Sequence, residues 1–137
     1  MLAPRREKFR KQFRGKRRGV AYRGSELAFG EFGLKALGRA WMSSNQIEAG
    51  RRAITSSLKR KGRVWVRVFP DKPITARPAG QRMGSGKGEV SHHAAVIVPG
   101  KIVYEIAGVE ADVAINALQK AGDKMPFKIR IVTREQK

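Results

Sequence analysis

Cysteine is absent from this chain of 137 residues, which excludes disulfide bonds, cysteine-based zinc sites and a thiol nucleophile. Long apolar runs are also missing, and none reaches the roughly 20 residues that a membrane-spanning helix requires. Acidic residues are scarce, since 11 carboxylates stand against 30 lysines and arginines for a net charge of +19. Solubility alone needs a net charge of only about 2–8 on a small domain, so the excess predicts a polyanionic partner.

The positive charge is concentrated in the first two-thirds of the chain. Residues 1–87 contain 23 basic and 5 acidic residues, whereas residues 88–137 contain 7 and 6. Residues 1–24 have too few apolar side chains to fold alone, so we predict an extended arm there that becomes ordered on RNA or DNA. A disordered tail that only aids solubility is the alternative. The ten basic residues of the arm, all candidate nucleic-acid contacts, are Arg5, Arg6, Lys8, Arg10, Lys11, Arg14, Lys16, Arg17, Arg18 and Arg23.

A glycine-rich loop with two cations follows later in the chain, inside a predicted loop over residues 74–93. Glycine permits positive φ and close backbone approach, and arginine and lysine bind phosphate. A P-loop is excluded, because glutamine stands where its first glycine should be and glycine where its hydroxyl residue should be. We therefore predict a finger that contacts a polymeric phosphate, formed by Gln81, Arg82, Met83, Gly84, Ser85, Gly86, Lys87 and Gly88.

Hydrophobic periodicity predicts an α+β fold with two helices on a mostly antiparallel, hairpin-rich sheet. We expect one domain over residues 25–137, with residues 80–93 as its glycine-rich loop. The first helix begins with a Ser43/Gln46 capping box and carries the apolar stripe Ile47, Ile54 and Leu58. The predicted elements are a bent or bulged strand within 26–37, the first helix ending at Gly62, a strand over 63–69, a hairpin of strands 94–98 and 101–106 turning at Pro99-Gly100, a second helix over 110–121 stopped by Gly122, and a last strand over 127–132.

Basic residues flank the apolar stripe of the first helix and continue into the next strand. On that strand two arginines alternate with Trp65 and Phe69 on one face, a pattern typical of a nucleic-acid platform. An equally good interpretation is that Trp65 packs in a second small core with the arginine stems laid over it. The candidate nucleic-acid contacts in this region are Arg51, Arg52, Lys59, Arg60, Arg63 and Arg67.

Catalytic and metal-binding patterns are weak. His92 and His93 are the only histidines, and neighbouring residues of a strand point to opposite faces, so they do not easily chelate one metal. No carboxylate–histidine–serine set is apparent in the sequence. We therefore expect no enzymatic activity, no cofactor and no metal.

Several blocks, in this order along nearly the whole chain, resemble the bacterial and organellar family of large-subunit ribosomal protein sixteen. The family usually has alanine at Gly50 and one or two aromatics at His92-His93, so this chain departs from it there. The blocks that carry the resemblance are residues 1–6 with 9–12, residues 29–37, residues 46–53, residues 65–73, residues 82–88 and residues 99–105.

This resemblance implies an α+β sandwich embedded in large-subunit rRNA near the peptidyl transferase centre. It implies rRNA contacts from the arm and the helix flank, and contact with aminoacyl-site tRNA from the glycine-rich loop. It also implies neighbouring large-subunit proteins as partners, late addition during assembly, and a ribosome of a bacterium, plastid or mitochondrion; no membrane and no homo-oligomer are expected. The competing interpretation is a free nucleic-acid-binding protein, such as a nucleoid or RNA-chaperone factor, with the same charge and arm.

Overall fold

A computed structural model describes residues 2–7, 11, 19–76 and 89–134, which form seven strands and two helices. The α+β fold class is therefore confirmed. Neither described helix combines the length and the apolar character that crossing a membrane demands. In chain order the elements are β1 Phe32–Ala36, β2 Ala40–Ser43, α1 Ser44–Leu58, β3 Arg63–Val66, β4 Lys72–Ala76, β5 Glu89–Ile97, β6 Ile102–Ala107, α2 Ala111–Gly122 and β7 Ile129–Thr133.

The strands form two antiparallel sheets rather than one. The four-stranded sheet has the order β3-β6-β1-β7, and the three-stranded sheet has the order β2-β5-β4. The two helices pack on each other, with α2 against β1 and β7 and α1 against β2, β3 and β5. The core between them includes Leu34, Ile54, Tyr104 and Leu118, all fully buried.

Helix α1 begins as the sequence predicts. The Ser43 side chain accepts from the Gln46 amide at 3.2 Å, and the Gln46 side chain accepts from the Ser43 amide at 2.9 Å. The predicted stripe is buried. The predicted end at Gly62 is wrong, because α1 stops at Leu58 and the next residue, Lys59, caps it in the left-handed conformation.

The predicted loop over residues 74–93 is too long at both ends. Strand β4 continues to Ala76, and β5 already begins at Glu89 and pairs with it. The predicted hairpin at Pro99-Gly100 is also wrong. Both edges of β5 are occupied by β2 and β4, and both edges of β6 by β3 and β1, so the turn carries the chain from one sheet to the other.

Smaller differences concern the remaining elements. The irregular first strand is confirmed, since β1 shifts register against β6 between Leu34 and Lys35. Helix α2 matches its prediction closely and ends at Gly122, the predicted stop. A side chain at Gly122 would collide with Ile129, since an added Cβ would lie 2.6 Å from the Ile129 Cδ1 atom.

The end of the predicted arm is attached to the folded body. The Ala21 amide donates to the Pro99 carbonyl at 2.8 Å, and the Gly24 carbonyl accepts from the Ile102 amide at 2.7 Å. Arg39 also donates to the Gly19 carbonyl at 2.8 Å. The last residues of the predicted arm are therefore hydrogen-bonded to the folded body.

Candidate nucleic-acid interface

Some of the predicted contacts fall outside the described residues. They are Lys8, Arg10, Arg14, Lys16, Arg17 and Arg18 of the arm, and Gln81, Arg82, Met83, Gly84, Ser85, Gly86, Lys87 and Gly88 of the loop. The structure places the other candidates, which are Arg5, Arg6, Lys11, Arg23, Arg51, Arg52, Lys59, Arg60, Arg63 and Arg67.

Four of these cations meet at the C-terminal end of α1. Arg51, Arg52, Lys59 and Arg60 line a surface groove of about 430 Å³ together with two hydroxyl residues of the helix. Arg51 and Arg60 also border an adjoining groove of about 280 Å³, which includes Lys61. We call these five cations the α1 basic groove. A concave surface of this charge suits a sugar-phosphate backbone.

The turn after α1 determines where two of these cations lie. Lys59 and Arg60 have φ of 52° and 64°, a left-handed conformation that side chains rarely adopt. The Lys59 amide donates to the Ser56 carbonyl at 3.2 Å and the Arg60 amide to the Thr55 carbonyl at 3.3 Å. These two bonds close the last turn of the helix. Both side chains remain exposed. The chain therefore uses an unfavourable backbone conformation to hold two adjacent cations at the rim of the groove.

Glu48 organises the arginines of the same helix. It pairs with Arg51, and its carboxylate also accepts from Arg52 Nε at 3.2 Å. The hydrogen bond from Arg51 is the main reason that the pKa of Glu48 falls to about 2. Sequence analysis missed Glu48, although its spacing of three and four residues from the arginines is typical of helical ion pairs.

A second cluster lies on the four-stranded sheet around Glu105 of β6, which is fully buried. Its Oε1 atom accepts from the amides of Ala28, Phe29 and Gly30, each at 2.9 Å, and its other oxygen pairs with Arg67. Burial alone would raise the pKa of Glu105, but these amides and Arg67 bring it below the ordinary value. The sequence signal was a single carboxylate inside the apolar strand β6.

The two arginines Arg63, in β3, and Arg67, just after it, have different environments. Trp65 stacks on Phe29 with ring centroids 6.0 Å apart, and the Arg67 guanidinium lies 5.3 Å from the centre of the Phe29 ring. Arg67 is only 18% exposed and pairs internally, whereas Arg63 is exposed. For Trp65 and Arg67 this geometry favours the interpretation of a small packed cluster. It leaves Arg63 available to a ligand.

The histidines have separate surroundings. His92 lies near the Ser91 hydroxyl, and His93 contacts the carboxylate of Glu7, which brings the described start of the arm against β5. Within the ranges that the structure describes, no three His, Asp or Glu side chains are grouped to hold a metal ion.

Comparison with known proteins decides what kind of protein carries these clusters. The family model of ribosomal protein L16p/L10e matches residues 4–132. The chain belongs to this family. It is similar to "Large ribosomal subunit protein uL16c" of Coffea arabica, with 53% identity over 132 residues, 96% of this chain and 98% of the relative. The protein of the same name from Aethionema cordifolium is 51% identical over 135 residues, 98% of this chain and 100% of the relative.

The family resemblance predicted from the sequence is thus confirmed. The chain is a ribosomal protein, a structural constituent of the large subunit, and not an enzyme. Its partners are rRNA and other ribosomal proteins.

Proposed function

We propose that this protein binds large-subunit rRNA through its basic arm and the α1 basic groove. The observation that carries the proposal is the convergence of Arg51, Arg52, Lys59 and Arg60 on one groove. Each cation that meets a phosphate releases condensed counterions, which contributes a large share of the affinity for a nucleic acid. The exposed Arg63 of β3 is a separate candidate contact.

The finer part of the proposal concerns location and timing. The loop Gln81–Gly88 reaches toward the peptidyl transferase centre and contacts aminoacyl-site tRNA, and the protein joins the subunit late in its assembly. This part rests on the family resemblance and on the loop's three glycines and two cations. The plant origin of the relatives at 51–53% identity favours the ribosome of a plastid.

Sedimentation of the native protein tests the proposal. We expect it to co-migrate with large subunits through a high-salt wash, because a protein embedded in folded rRNA makes contacts beyond screened surface charge. A free nucleic-acid-binding protein would leave the subunit in high salt and would bind DNA about as well as RNA. That result would contradict the proposal.

The loop is tested separately with Arg82→Ala in the full chain. We expect subunit assembly or translation to fall while the thermal unfolding midpoint stays close to that of the wild type, because a loop cation adds little to folding. Equal losses of stability and activity would count against a functional finger.

A further inference from the structure

Phe29 has an exposed ring on a tightly held backbone. Its side chain is 58% exposed, yet the amides of residues 28, 29 and 30 all donate to the buried carboxylate of Glu105. On the other side, Arg134 donates to the Gly30 carbonyl at 3.0 Å through Nη2 and at 3.2 Å through Nε. Both the donors and an acceptor of this short segment are therefore fixed by charged groups.

The segment also lies directly against the sheet. An added Cβ at Gly30 would stand 2.7 Å from the Ile106 carbonyl oxygen, and one at Gly33 would collide with Leu27. At Gly30 only glycine permits this close approach of the loop to the backbone of β6. The Phe29 ring is thus presented in one place rather than on a loose loop.

The cost of this arrangement is informative. Burying a carboxylate is unfavourable unless it is fully hydrogen-bonded, and an exposed phenylalanine forgoes the gain from burial. Here Glu105 is completely bonded, but the residue that it positions is left on the surface. A rigid exposed ring backed by Trp65 and near Arg67 is already in the conformation that a planar ligand needs, so binding costs little ordering.

We propose that Phe29, backed by Trp65, is a stacking site for an unpaired base of large-subunit rRNA. The inference rests on the proposed rRNA binding and specifies the chemistry of one site within it. A base is favoured over an apolar protein side chain because the neighbourhood of the ring is cationic. The Arg67 guanidinium lies 5.3 Å from the ring centre, and the exposed Arg134 is bonded to the carbonyls of residues 28 and 30. Arg134, together with the exposed Arg63 on the same face of β3 as Trp65, suits the phosphates on either side of a splayed base.

The test uses the full chain with Trp41→Phe, so that Trp65 is the only tryptophan. The probes are a short oligoadenylate and an abasic sugar-phosphate oligomer of equal length and charge. We expect the oligoadenylate alone to quench Trp65 emission and to bind more tightly than the abasic oligomer. We expect Phe29→Leu to weaken oligoadenylate binding by about 5- to 150-fold, the usual value of one stacked base, and to leave the abasic affinity unchanged.

Two variants are the controls. Phe69→Leu makes the same substitution at a phenylalanine that is 46% exposed and is not part of the Phe29–Trp65 pair, and it should keep the preference for oligoadenylate. Phe29→Tyr retains a ring and should also keep it. Thermal unfolding of every variant shows that the fold is retained.

Several results would overturn the proposal. The first is a Phe29→Leu variant that still prefers oligoadenylate over the abasic oligomer as strongly as the wild type. The second is a Phe29→Leu variant that loses affinity equally for both oligomers. The third is a Phe29→Tyr variant that loses as much affinity for oligoadenylate as Phe29→Leu does. If Phe29→Leu weakens retention on large subunits without changing the preference, the occupant is a neighbouring protein. If the wild type binds both oligomers equally, only the stacking site is refuted. If it binds neither the oligomers nor rRNA, the proposed function is refuted as well.

Discussion

Lys59 and Arg60 show how single residues connect stability and function in this protein. A left-handed backbone costs about 1–2 kcal/mol for a residue with a side chain. Both residues adopt it next to each other, and both border the α1 basic groove. Strain of this kind persists where the local conformation is useful, and here it places two cations together.

Replacing Lys59 by glycine separates the two roles. We expect Lys59→Gly to raise the free energy of unfolding by about 0.5–1 kcal/mol, since relief of the left-handed strain exceeds the entropy that glycine adds to the unfolded chain. Its rRNA affinity should fall. Lys59→Ala is the matched control, because it removes the charge but keeps the strain, and it should lower affinity without stabilising. Urea unfolding measures the free energy of unfolding, and a binding assay measures the rRNA affinity. If Lys59→Gly is less stable than the wild type, the left-handed backbone of Lys59 is not strained.

Gly50 offers a second test at a single position. It lies on the buried stripe of α1, where an added Cβ would collide with the hydroxyl of Tyr104. That hydroxyl donates to the Ile47 carbonyl at 2.6 Å, and burial raises the pKa of Tyr104. Alanine would favour the helix by about 1 kcal/mol but overpack a fixed group at a cost of about 1–3 kcal/mol.

We therefore expect the effect of Gly50→Ala to depend on Tyr104. The substitution should be more favourable by about 1 kcal/mol in the Tyr104→Phe background, because the obstructing atom nearest to the added Cβ, the hydroxyl oxygen, is gone, while Met125 Cε at 2.7 Å and the ring carbon at 2.9 Å remain. Urea unfolding of the wild type, both single variants and the double variant gives this coupling. Additive effects would mean that the hydroxyl moves aside without cost.

Strand β6 and the loop before β1 form the main unit of packing between elements. Glu105 lies in the middle of β6, and its carboxylate bonds to two other segments of the chain. These are the loop of residues 28–30 and Arg67 after β3. The same carboxylate therefore joins the loop, the central strand and the region after the edge strand. Loss of the carboxylate charge should therefore weaken the packing of all three segments.

We expect Glu105→Gln to lower the free energy of unfolding by about 3–5 kcal/mol at pH 7, because it leaves Arg67 without its buried partner. The folded-state pKa of Glu105 lies below its ordinary value of 4.5, so its stabilisation is full above that pH and is lost as pH falls through the folded pKa. Glu48, with a pKa of about 2, loses its contribution between about pH 4.5 and 2.

The difference in free energy of unfolding between the wild type and Glu105→Gln should therefore decrease as the pH is lowered from 5 to 3. Chemical denaturation at each pH measures this difference. Glu31→Gln, a substitution of an exposed carboxylate, is the control and should change stability by less than about 0.5 kcal/mol. A difference that stays constant with pH would show that folding does not change the pKa of Glu105, and a difference that widens as the pH is lowered would show that its carboxyl group is protonated in the folded protein.

The distribution of charge over the entire chain governs how it meets RNA. Neutralised phosphates release counterions, so the salt dependence of binding counts the contacts. We expect Lys59→Gln with Arg60→Gln to reduce the slope of log affinity against log salt by about 2. Lys128→Gln with Arg130→Gln removes the same charge from two exposed side chains, one just before β7 and one within it, and should change this slope little. Equal effects of the two pairs would indicate diffuse attraction without a defined groove.

The parts of the fold that follow local rules were predictable. The capping box at Ser43, the buried stripe of α1 and the extent of α2 depend on neighbours within four residues, and all three are confirmed. Gly62 was misjudged as the stop of α1, because Lys59 takes the left-handed position itself, whereas the predicted stop of α2 at Gly122 is confirmed.

Charge, composition and the order of the family blocks settled from the chain alone that this is a basic ribosomal protein with an α+β fold, because those properties need no knowledge of contacts. Pairing partners and buried neighbours depend on residues far apart in sequence. Tertiary structure alone therefore separated β5 and β6 into two sheets, buried Glu105 beneath a loop 75 residues away, and exposed Phe29 over Trp65. The same long-range packing gathered the cations of α1 and its following turn around one groove.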